Sequence, residues 1–208
     1  MHLIGYKKTV WKYITIIIFL ILSSSASANE DSTCVEVLST IQGYSLGHSA
    51  CYNADACFHA GVVHSDSKCT LYDPTKAVGF LQKAADLNHV DAQVYLAALL
   101  SSNEIPPDYE QAVALYEKAA NQNHLRAQFM LGGIYLMGDW VEKDLIRSAY
   151  WYQEAAEQGH ASAQYYLGFF YIQGVGVAKD NDKGMALLQK SAAQGHQGAA
   201  ELLNKLGM

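Results

Sequence analysis

The chain has 208 residues, 14 Lys and Arg against 20 Asp and Glu, and a formal net charge of −6, with half of its residues hydrophobic. That acidity, without any long basic stretch, excludes nucleic acid and anionic membrane surfaces as partners held by charge. The length suits one domain, and the hydrophobic half suffices for a packed core.

The chain opens with Lys7, Lys8 and Lys12, then an apolar run from Ile14 to Leu22 of nine residues, then SSSASA ending in Ala26-Ser27-Ala28. A positive start, a short apolar stretch and an A-x-A site form the pattern of a secretory leader. The run is well short of the roughly 20 residues of a spanning helix. Residues 1–28 are therefore expected to be a signal peptide cut after Ala28, with no stable membrane insertion afterwards. Cleavage would leave 11 basic and 20 acidic residues, a net charge of −9. An exported chain of this kind points to the periplasm or the cell exterior.

All four cysteines follow early, at Cys34, Cys51, Cys57 and Cys69. Export and an even count favour two disulfides. The spacings match no compact C-x-x-C zinc pattern. Residues 29–53 are expected to cap the N-terminal end.

From residue 54 onward the chain repeats itself. KAVGFLQKAADLNH from Lys76, QAVALYEKAANQNH from Gln111, RSAYWYQEAAEQGH from Arg147 and KGMALLQKSAAQGH from Lys183 align at offsets of 35, 36 and 36 residues. Each reads as an amphipathic B helix with a pair of small residues, Ala84-Ala85, Ala119-Ala120, Ala155-Ala156 and Ser191-Ala192. Between them lie A helices, beginning near Ala56, Ala92, Ala127 and Ala163, with a last one from about Gly198 to Leu206. Such a period marks stacked repeats. The fold expected is all-α: an α-solenoid of about four helix–turn–helix repeats, at 54–89, 90–124, 125–160 and 161–196, with a terminal helix in 197–208. A glycine inside a helix costs about 1 kcal/mol relative to alanine. The return of Leu131-Gly132 as Leu167-Gly168, with Ala60-Gly61 as a variant, therefore predicts close backbone approach there.

The junctions repeat too. Asn88, Asn123, Gly159 and Gly195 follow the B helices, and Asn103, Gly138 and Gly174 follow the A helices, all of them residues that readily turn left-handed. Asp73, Asp108, Asp144 and Asp180 precede the B helices as N-caps, and Asp73-Pro74 adds a first-position proline.

The loops GDWVEKD (138–144) and GVGVAKD (174–180), with the LG and AA-x-QGH segments, resemble the Sel-1-like repeats, relatives of the tetratricopeptide repeats. Trp140 departs from the pattern, standing where the family has its second loop glycine. The resemblance implies a stack whose A helices line one concave face and whose consecutive helices alternate in direction. If Cys34 to Cys51 form a leading helical hairpin or a capping B-like helix in such a stack, Cys51 lies near Cys57 and Cys34 at the far end, near Cys69. About 15 Å of helix would separate Cys57 from Cys69, beyond the roughly 7 Å a bridged pair tolerates. The expected bonds are Cys51–Cys57 and Cys34–Cys69.

His89, His124, His160 and His196 recur once per repeat. Each follows a helix-ending residue, which fits a capping role, and stacking would space them about 10 Å apart, too far to share one ion at about 2 Å. No metal and no cofactor are expected. Tyr116, Tyr135, Trp151, Tyr152 and Tyr171 occupy positions that the family fills with core residues. Phe129, Tyr165, Phe169, Tyr150 and Trp140 are the candidates for an exposed protein-binding surface. GVGVAKD lacks the G-K-[ST] of a phosphate loop, and Ser49 beside His48 lacks a G-x-S-x-G context. No catalytic residue is nominated.

The function expected is non-catalytic: an exported module, monomeric when unbound, that binds another protein. The resemblance supplies one specific version, an immunity protein that neutralises a secreted antibacterial effector. It supplies a rival as well, since secreted cysteine-rich members have been linked to penicillin binding and slow β-lactam hydrolysis. A passive envelope scaffold or regulator is the third.

Overall fold

A computed structural model describes residues 44–45, 50–69 and 71–207. The expected leader, Cys34 and most of the 29–53 cap lie outside them. Two short strands, β1 (Tyr44–Ser45) and β2 (Ala50–Cys51), pair antiparallel with Tyr44 opposite Cys51. Nine helices follow among the described residues: α1 (Ala54–Ser65), α2 (Pro74–Asp86), α3 (Val90–Leu100), α4 (Tyr109–Ala120), α5 (Leu125–Met137), α6 (Leu145–Glu157), α7 (Ala161–Gln173), α8 (Asn181–Ala193) and α9 (Gln197–Lys205). The odd helices are the expected A helices and the even ones the B helices. Each packs on the helices before and after it in the chain, which is solenoid stacking.

The described part of the expected cap is this strand pair, not the helix on which the cysteine pairing was conditioned. The extended entry into α1 has a local cause. Asn53 is the N-cap of α1 and is extended, at φ −145 and ψ 166, with its side chain accepting from the Ala56 amide. Cys51, two residues upstream, is bonded to Cys57. The chain must therefore enter α1 in extended form.

Asp73, Asp108, Asp144 and Asp180 all cap the even helices, each side chain accepting from amides of the first turn. Asn88, Asn123, Gly159 and Gly195 are left-handed, at φ 63, 65, 90 and 87, as are Gly138 and Gly174 at φ 81 and 71. Asn103 is not. Helix α3 stops at Leu100, and the Ser101 and Ser102 hydroxyls donate back to the Ala97, Ala98 and Leu99 carbonyls. Those hydroxyls close the turn before Asn103 is reached.

The recurring glycines admit the facing even helix, more often a side chain than its backbone. A Cβ on Gly61 would meet the Leu81 side chain at 2.5 Å, and one on Gly132 the Tyr152 ring at 2.5 Å. Only at Gly168 is the nearest atom backbone, the Gly184 carbonyl at 2.9 Å. Leu81, Tyr116, Tyr152 and Leu188 align in sequence and are each at most 2% exposed. Tyr135 and Trp151 are buried as expected, and Tyr171 is half-buried.

A glutamine ladder ties the two helices of each repeat together and reaches back to the repeat before it. Gln122, Gln158 and Gln194, at the ends of α4, α6 and α8, donate through Nε2 to Gln93, Gln128 and Gln164 of the preceding odd helix, at 3.0, 2.6 and 2.8 Å. The acceptors are 0%, 1% and 5% exposed. Their own amides donate to Asn88 Oδ1, to Asn123 Oδ1 and the Ala120 carbonyl, and to the Ala156 carbonyl. Buried polar groups persist when satisfied in this way. In the first repeat Cys57 and Leu87 hold the two equivalent positions, so a disulfide and an apolar residue replace the amide pair. Cys69, 4% exposed, is also disulfide-bonded; its expected partner Cys34 is outside the described residues.

Candidate binding cleft

The four recurring histidines begin the odd helices. His89, His124, His160 and His196 are the N-caps of α3, α5, α7 and α9, and each accepts at Nδ1, 3.2 Å from the amide three residues on. An amide only donates, so Nδ1 is unprotonated and Nε2 carries the proton. In His124 that Nε2 meets Asp91 of the previous odd helix at 3.1 Å, and in His89 it meets Asp55 at 3.5 Å. The imidazoles also carry aromatic rings from the preceding odd helix: Phe58 on His89 at 4.5 Å, Phe129 on His160 at 4.3 Å and Tyr165 on His196 at 4.7 Å. Burial, and then His196, lowers the His160 pKa. The odd helices are thus held side by side by their own first turns.

Between α5 and α7 this face opens into a cleft of about 310 Å³. Phe129, Met130 and Met137 of α5, Tyr166 of α7, Tyr152 of α6 and Trp140 of the α5–α6 loop form most of its lining. Tyr152 and Tyr166 stack at 5.0 Å and 9°, and Phe129 lies 5.8 Å from Tyr152. Trp140 is fixed from outside by Tyr109, the first residue of α4, at 5.1 Å and 19°. Burial pushes the Tyr152 phenol well above its ordinary range, so it stays neutral. Asp139 is the one formally charged residue of the lining, and it is exposed.

Two of the five expected surface residues, Phe129 and Trp140, line this cleft. Tyr165 is half-buried on His196, with its ring edge against Tyr166 at 5.2 Å, beside the cleft and outside its lining. Phe169 lies further along α7, 38% exposed. Tyr150 is 52% exposed but stands on the even helix α6, edge-on to Trp151 at 4.8 Å. Sequence reasoning missed Tyr166, Met137 and Asp139, and placed Tyr152 only in the core. One signal was available. Gly132 recurs as Gly168, but Gly133 does not recur: the next repeat has Phe169 there and the previous one Ala98. A glycine out of register marks a local opening.

Helical hairpins stacked at a fixed period, coupled by N-caps and an amide ladder, define an α-solenoid repeat protein. The chain belongs to the Sel1 repeat family, whose profile matches residues 54–89, 90–124, 125–160 and 161–196. Its fold is similar to that of c5321, a protective antigen present in uropathogenic Escherichia coli strains, at 32% identity and TM-score 0.69, covering 74% of this chain and 33% of that one. It is similar as well to a Sel1 repeat protein from Oxalobacter formigenes, at 30% identity and TM-score 0.65, covering 74% and 63%. Helicobacter pylori cysteine rich protein B matches at 25% identity and TM-score 0.50, over 62% of this chain and 94% of its own. The chain thus spans a third of the length of the first of these and under two thirds of the second. No curated protein matches it.

Proposed function

We propose that the chain is a non-catalytic, exported protein-binding module that acts through the odd-helix face of its solenoid. The α5–α7 cleft carries this reading. A patch of aromatic and methionine side chains, with Met137 67% exposed, is held open by a frame of N-caps and buried amide bonds. Rigid apolar anchoring sites with a polar rim suit partner side chains, and pre-organisation lowers the ordering cost of binding. The apolar leader with its A-x-A site and the disulfide-bonded Cys51, Cys57 and Cys69 support passage into an oxidising compartment, the periplasm or the exterior. In the narrower form of the reading, the module is an immunity protein and the partner is a secreted antibacterial effector.

A photo-crosslinking residue at Met137 tests the surface, with the same residue at Gln189, exposed on the even helix α8, as comparator. One dominant adduct in the native envelope fraction from Met137, absent from Gln189, is the expected result. No adduct, or equal adducts from both positions, would overturn the reading. Protection of cells from the captured partner, lost when residues 1–28 are deleted, tests the immunity form.

A further inference from the structure

We propose that the α5–α7 cleft receives an apolar side chain that the partner protein carries directly beside a lysine or arginine. This rests on the binding-module reading and specifies its partner.

The size comes first. About 310 Å³ lies at the bottom of the roughly 300–1,000 Å³ spanned by small-molecule pockets. The cleft suits one or two anchoring side chains. Its space comes from two departures from this chain's own repeat. Gly133 stands where the next repeat has Phe169, and a Cβ built on it would meet nothing nearer than the Tyr152 hydroxyl at 3.7 Å. The floor is therefore open by omission of a side chain. Trp140 stands where the next repeat has Gly176, whose backbone packs on Leu145, the first residue of α6. Trp140 makes the corresponding contact with a ring, lying on Tyr109 at the start of α4. The cleft gains an aromatic wall where the next repeat keeps a tight backbone contact.

The charge comes second. Asp139 replaces the Val175 of the next repeat. Its carboxylate makes no hydrogen bond or ion pair with any described residue, so its charge is available to a ligand. Apart from the cap Asp144, the same loop sets Asp139 and Glu142 against a single base, Lys143. An apolar body in the cleft with a cation at its edge satisfies both features. An acidic neighbour would meet like charge, which costs affinity and suppresses wrong partners.

The probe is the peptide acetyl-Gly-Ser-Phe-Arg-Ser-Gly-amide, with Phe replaced by Ala or Arg replaced by Glu as controls, titrated against the full chain. The readouts are the Trp140 indole and the Met130 and Met137 methyl resonances. We expect saturable shifts with the Phe-Arg peptide, none with Ala-Arg, and several-fold weaker binding of Phe-Glu, as suits one exposed charge pair. Asp139→Lys should reverse the order of the Arg and Glu peptides. Gly133→Phe should abolish the shifts while leaving the rest of the spectrum folded. Equal affinity for the Arg and Glu peptides, or binding unaffected by Gly133→Phe, would overturn the proposal. Persistence of the Met137 adduct in Gly133→Phe would sink this inference and leave the module reading standing. Absence of that adduct from the wild-type chain would sink the module reading itself.

Discussion

Adjacent glycines in α5 should respond to the same substitution with opposite signs. In each, Gly→Ala relieves the helix-propensity penalty of about 1 kcal/mol. At Gly133 the new methyl has ordinary contact at 3.7 Å, so the relief is unopposed and the chain gains about 1 kcal/mol. At Gly132 the methyl lies 2.5 to 2.9 Å from three atoms of the Tyr152 ring. Overpacking of that kind costs about 1–3 kcal/mol. The ring has little room to retreat, since Tyr166 is stacked on it at 5.0 Å and Phe170 meets it edge-on at 5.8 Å. The α3–α4 pair shows what retreat requires: Ala97 holds the equivalent place beside Tyr116, and no ring contacts Tyr116 among the described residues. Gly132→Ala should therefore lose about 1 kcal/mol net, and the two variants should differ by about 2 kcal/mol in urea unfolding followed by circular dichroism. Equal effects of the same sign would refute the reasoning, because the steric term would then be absent.

Gln128→Leu keeps the volume of a buried side chain but removes the acceptor of Gln158 and the donor to Asn123 and Ala120. Unsatisfied buried groups predict a loss of about 2 kcal/mol, read by urea unfolding, and a loss below about 0.5 would mean that the ladder adds little. Protonation of His160 destroys its cap, and its folded pKa lies below the ordinary value of about 6.5. The unfolded chain then binds the proton more tightly, so the cap's contribution is full above about pH 6.5 and is lost as pH falls through the lower folded value. The stability gap between wild type and His160→Ala should be about 1 kcal/mol at pH 7.5 and should shrink below pH 6; a gap independent of pH would count against the cap. Reducing Cys51–Cys57, which closes a loop of sequence separation 6, should cost about 2 kcal/mol. Hydrogen exchange should rise first in α1, and uniform acceleration along the chain would contradict a local role.

The repeats and their caps were legible because they depend on local chemistry. An Asp before a helix, a Gly or Asn after it, and an alternation of apolar and polar positions act within one or two turns, and each returned in register four times. The histidine caps belong to the same class, since Nδ1 reaches only its own first turn. Asn103 failed as a left-handed turn because neighbouring serines completed the same task by another local route. Gln93, Gln128 and Gln164 were visible as a recurrence, but their partners lie 29 or 30 residues away. A one-dimensional pattern does not pair them.

Period, helix pairing and the ends of most helices were therefore determined by the sequence alone, through forces that span a few residues. The cleft was decided by the tertiary structure. Trp140 takes its place from Tyr109 in an earlier repeat, and Tyr152 faces both the core and the opening. Tyr150, equally aromatic in sequence, stands on an even helix away from the cleft. Which side of a ring meets water depends on the packing of three successive helices, and only their superposition in space decides it.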